Sequence, residues 1–123
     1  MSRTATIAST ATSVSATAVT TSNPFYTLSF AVTGKMVGGR QVNRQTITRE
    51  EALIAHTRSN SYFVMSENDL GSIAPGKLAD LVVMDKDYLT IPADQIKDIK
   101  PVTTMVGGKI VYDAAEAAVR SKR

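Results

Sequence analysis

The sequence predicts an α+β chain in which helices come first and short strands follow. Three observations carry this. Apolar residues recur at helical spacing behind an Asn23-Pro24 start, and Thr48 with Glu51 has the form of a capping box. After Leu70 the texture changes to short β-branched runs separated by glycine turns. The 123 residues, 43% of them hydrophobic, make one ordinary domain able to bury about two-thirds of its unfolded surface.

Residues 1–22 are almost entirely Ala, Ser, Thr, Val and Ile, with Arg3 the only charge. They show neither two-fold nor 3.6-fold periodicity and read as low-complexity, unstructured sequence. The stretch is acid-poor and hydroxyl-rich like a transit peptide, but one Arg is thin support, and no secretory core is present.

Asn23-Pro24 pairs a capping residue with a proline at the first helical position, where its missing N–H costs nothing. Phe25, Leu28, Val32 and Met36 then give one apolar face to a helix over 24–37, ended by Gly38-Gly39. The capping box starts a second helix that turns Ala52, Leu53, Ala55 and His56 inward. Ser59-Asn60-Ser61 either breaks that helix or starts a short third one through Tyr62, Phe63 and Met65.

About four strands follow. One runs through Ile73, before a Pro75-Gly76 turn of type II, in which Pro fixes φ and Gly supplies a positive one. Leu81–Met84 is continuously apolar and so predicts burial on both faces, with a neighbour on each side. Pro92 to Ile99 has room for a turn or two of helix with Ile96 and Ile99 inward. Val102–Val106 and Lys109–Tyr112 flank Gly107-Gly108, a strong two-residue hairpin signal. Residues 114–123 read as a frayed helical tail. So few strands close neither a barrel nor a sandwich, and the chain reads as part of something larger.

Charge and composition exclude several functions. The net charge of +3 hides an asymmetry: residues 1–49 hold five basic side chains and no acid, and residues 50–123 hold nine basic and eleven acidic. The basic residues are spread out and lack interleaved stacking aromatics, so they predict a solvated face and no nucleic-acid partner. No apolar stretch approaches the ~18 residues of a membrane helix, so no membrane partner is expected. The absence of cysteine removes disulfides and thiolate metal sites and favours the cytoplasm. Gly71 to Lys77 matches the glycine and lysine spacing of a phosphate-binding loop. That loop needs Ser or Thr next and a helix after it; Leu78 and a strand follow here, so the turn reading wins.

Five segments occur in order at plausible spacings: Asn23-Pro24-Phe25, Ala31-Val32-Thr33, Thr48 to Leu53 with Thr57, Gly71 to Val83, and Val106 to Tyr112. Together they closely resemble the carboxy-terminal end of amidohydrolase family 3, metal-dependent hydrolases of the urease-related superfamily. The resemblance covers about residues 23–113, and Gly71 to Asp80 is its most specific part. It implies that the α+β chain is a fragment. Residues 23–69 would be the closing helices of a (β/α)8 barrel, and residues 70–113 the carboxy-terminal strands of a small composite β-sandwich. Residues 1–22 and the tail, 114–123, would lie outside these units.

The resemblance also implies a reaction: hydrolysis of non-peptide C–N bonds, with a metal-activated water attacking the carbonyl and an Asp handling the proton. Such chemistry needs several His and that Asp, because a divalent cation must be held by several ligands before it acidifies its water. This sequence departs from the pattern. Its single histidine, His56, lies mid-helix outside the family's metal motifs. Where the Asp should precede Asn23 the sequence reads Ser13-Val14-Ser15-Ala16-Thr17, and a hydroxyl does not ionise near neutral pH.

No catalytic, cofactor-binding or metal-binding residue is therefore assigned. Divalent metal such as zinc is expected only in the full-length family member, as is a small amide-type substrate. Whether this chain is itself an enzyme stays open. Asp80 and Asp85 are expected to bond turn amides, Asp94 and Asp98 to sit on a short solvated helix, and Asp113 to follow the last strand. The alternative role is a non-catalytic interaction module whose exposed strand edges pair with itself or with a partner.

Overall fold

The computed structural model describes residues 23–36 and 38–122. Residues 1–22, Val37 and Arg123 lie outside the described residues, and with them the reading of 1–22 as unstructured. Helix α1 spans Pro24–Thr33, α2 Arg49–His56 and α3 Arg58–Phe63. Strand β1 spans Leu81–Met84, a 3-10 helix Ala93–Asp98, β2 Pro101–Val106, β3 Lys109–Asp113 and α4 Ala114–Ser121. The three strands form one antiparallel sheet in the order β1-β2-β3.

The helix starts follow from local chemistry. Asn23 Oδ1 accepts the Phe25 N–H at 3.0 Å with Pro24 behind it. Thr48 Oγ1 accepts from Glu51 N at 3.2 Å, and Glu51 Oε2 accepts from Thr48 N at 2.9 Å, so the capping box closes in both directions. The third, short helix is present, and Tyr62, Phe63 and Met65 around its end are exposed.

The end of α1 departs from the expectation. The helix stops at Gly34, not at Gly38-Gly39, and Met36 is exposed. Gly34 takes the left-handed conformation, φ 67°, and its N–H closes on Phe30 O at 2.7 Å. The chain then doubles back: Val42 and Asn43 both donate to Gly34 O, and Lys35 bridges Gln41. Any side chain at 34 would fall on the Asn43 carbonyl, so the close return of the backbone requires glycine here. Gly38-Gly39 merely turn the tip of that loop.

The core is built from Phe25 and Leu28 of α1, Ala52 of α2, Met84 of β1, Tyr88, and Ile96 and Ile99 at the 3-10 turn. Ile96 and Ile99 point inward as expected. Burial of each large side chain contributes about 1.5–3 kcal/mol. Leu53 packs partly against this cluster, whereas Ala55 is exposed, contrary to expectation. Only the face of α2 that carries Ala52 meets α1.

Two further expectations are corrected. Ile73 belongs to no strand and is exposed, because the chain bends at Gly71-Ser72 and turns at Pro75-Gly76 without pairing to a neighbour. Leu81, Val82 and Val83 are half-buried, not enclosed: among the described residues β1 has β2 as its one neighbour and is an edge. The tail is helical as read: α4 is capped by Asp113, whose Oδ1 accepts Ala115 N at 2.8 Å. The glycine hairpin is as read, with positive φ at both Gly107 and Gly108, the requirement of a type I′ turn. β3 carries a bulge at Val111, the residue left between the Met105–Ile110 and Thr104–Tyr112 pairs.

Candidate functional site

In the segment Gly71 to Asp85 the three charged side chains, Lys77, Asp80 and Asp85, are each tied to the fold. Gly71, φ 85°, lies against α3, where an added Cβ would approach Ser61 Oγ to 2.7 Å. Ala74 O accepts Lys77 N at 3.2 Å across Pro75-Gly76, and Gly76 has φ 88°, as a type II turn requires. Lys77, the lysine of the phosphate-loop match, folds back and donates from Nζ to Glu67 O at 2.6 Å and Leu70 O at 3.0 Å. Its charge is spent on the loop's own carbonyls.

The carboxylates bracketing β1 do what their positions suggest. Asp80 Oδ1 accepts Gly107 N at 2.7 Å, and Gly108 N donates to Ala79 O at 3.0 Å, so the strand entry clamps the hairpin turn. Asp85 Oδ1 accepts Lys100 N at 2.9 Å, while Asp85 N donates to Lys100 O at 3.1 Å. Asp94 pairs with Lys35 at 2.9 Å on the surface, and that hydrogen bond, helped by the lysine's charge, holds its carboxyl below the usual range.

Among the described residues no three His, Cys, Asp or Glu side chains converge. His56 Nδ1 lies 3.0 Å from the Ala52 carbonyl of its own helix, a contact typical of a packed histidine. Ser13 to Thr17, the stretch in place of the family's catalytic Asp, lies outside the described residues. An open groove lies beside the start of α1, bounded by Tyr26, Lys86, Lys97 and Lys100 with Asp85 and Asp98. It holds no nucleophile with a base beside it.

One buried polar pair had no local signal in the sequence. Tyr88 is fully buried; its hydroxyl donates to Arg49 O at 3.0 Å, and Arg49 Nη1 donates to Tyr88 O at 2.8 Å. This reciprocal pair joins the start of α2 to the loop after β1, 39 residues away. Burial pushes the Tyr88 phenol up to about 12, against the downward pull of the Arg49 cation, with Glu50 adding a smaller upward push.

The model of the amidohydrolase family matches residues 7–112. The matched range opens well before Asn23 and takes in the Ser13–Thr17 stretch. No curated protein and no solved structure matches the chain.

Proposed function

The chain belongs to the amidohydrolase family, and on that premise we propose that it is a carboxy-terminal piece of a hydrolase of non-peptide C–N bonds, without turnover of its own. The parent enzyme would cleave a small amide-type substrate with a metal-activated water, its ligands and base supplied by sequence other than residues 23–122. In this reading residues 23–69 close a (β/α)8 barrel and residues 70–113 complete a composite sandwich.

One observation carries the proposal: from Gly71 to Asp85, which includes the family's most specific stretch, Gly71 to Asp80, both carboxylates and the lysine are bonded to backbone groups of the fold. That stretch is scaffold. No step of the reaction is assigned to these residues.

The test is to assay the pure chain, with zinc supplied, against N-acyl amino acids and cyclic amides. Neither turnover nor stoichiometric zinc is expected, and measured hydrolysis would overturn the reading. DNA upstream that encodes a barrel with a His-x-His pair, in frame or frameshifted, would support it.

A second reading has an observation of its own. Among the described residues β1 and β3 each pair on one side only, which leaves two strand edges for another copy or a partner. Sedimentation showing a stable monomer at high concentration counts against that role.

A further inference from the structure

We propose that Lys77 is a charge-dependent latch that sets how the signature loop sits on the end of α3. The loop runs from Ser66 to Leu78 and carries little apolar packing: Ile73 and Leu78 are exposed, and the buried point is Gly71 against Ser61. What holds it is polar. Asp69 N and Leu70 N both donate to Ser66 O, and Leu78 N donates to Asp69 O at 2.9 Å. These bonds leave the carbonyls of Glu67 and Leu70 facing inward, and Lys77 Nζ donates to both.

A single ammonium thus joins the two ends of the loop, ten and seven residues apart along the chain. Among the described residues no carboxylate is paired with it; two carbonyl dipoles are its partners. A cation suits that role because bonds from a charged donor are about twice as strong as neutral ones. Neutral side chains of similar length lose the charge, and a chemical change that neutralises the amine, such as acylation, releases the latch without altering the backbone.

The consequence is local. With the latch open, the Leu70 and Leu78 amides lose their partners first, Gly71 lifts from Ser61, and β1 keeps its pairing with β2.

Hydrogen exchange of the full chain tests this in Lys77→Met, which keeps the stem, and Lys77→Arg, which keeps the charge. Exchange at Leu70 and Leu78 is expected to speed roughly tenfold or more in Lys77→Met, the size of losing bonds from a charged donor. The β2–β3 amides should be unchanged in the same sample, and Lys77→Arg should protect the loop better than Lys77→Met. Three results overturn the proposal: unchanged loop exchange in Lys77→Met, loss of protection spread equally through β2 and β3, or an Arg chain as unprotected as the Met chain.

Discussion

Two regions of this molecule are held together in different ways. From α1 to the 3-10 turn the chain packs side chains: among the described residues, all seven buried hydrophobic ones lie between Phe25 and Ile99. From β2 to the end of α4 no residue is fully buried. That second region holds by backbone pairing, by the turn at Gly107-Gly108 and by the carboxylate clamps of Asp80, Asp85 and Asp113. Both regions leave apolar side chains in solvent, Phe63 and Met65 in the first and Ile110, Val111, Tyr112 and Val119 in the second, but the first also closes a buried cluster. The difference is between side-chain packing that closes over itself and a hairpin whose β3 residues Ile110, Val111 and Tyr112 stay uncovered among the described residues.

The sharpest way to break it is to truncate one residue on each side. Ile96→Ala should cost about 2–5 kcal/mol in urea unfolding, because it opens a cavity in the packed cluster. Ile110→Ala should change stability by less than about 0.5 kcal/mol, as exposed substitutions do. Equal losses would mean that β3 is packed in solution and that the contrast is false.

A backbone test follows in size. Gly34→Ala places a Cβ at positive φ, which alone costs about 1–3 kcal/mol, and drives it into the Asn43 carbonyl. Circular dichroism should show weakened helix and an earlier thermal midpoint, whereas Gly39→Ala, with open space around it, should be milder.

The reciprocal Tyr88–Arg49 pair gives a pH signature confined to the packed region. The folded phenol sits near 12 and the unfolded one near 10, so the folded state favours the protonated form. Its contribution is complete below pH 10 and is lost as pH rises from 10 to 12, by on the order of 2–3 kcal/mol. Tyr88→Phe should flatten that alkaline limb of the stability profile while leaving the neutral and acid limbs in place.

Smallest is the clamp. Asp80→Ala removes the acceptor for Gly107 N and should cost about 1 kcal/mol, seen as faster amide exchange at Gly107 with the α1 amides unmoved.

The roles of Asp80 and Asp85 were legible in the sequence, because each follows from its place beside a strand. The Tyr88–Arg49 pair was not legible, because its partners lie 39 residues apart and neither carries a local motif. Nor was the use of Lys77, whose spacing from the glycines pointed to phosphate while its ammonium is drawn to carbonyls in the preceding turns.

The sequence by itself determined whatever is settled within about four residues. The Asn23 cap, the Thr48–Glu51 box, the Pro75-Gly76 turn and the Gly107-Gly108 hairpin each depend on one side chain or one φ angle acting on its immediate neighbours. Only the tertiary structure decided where α1 ends, since Gly34 became its cap through the return of residues 42 and 43. It also decided how deeply β1 is buried, since an apolar run reads the same with one neighbouring strand or two. Burial and long-range closure depend on which distant segments arrive, and a local pattern carries no record of them.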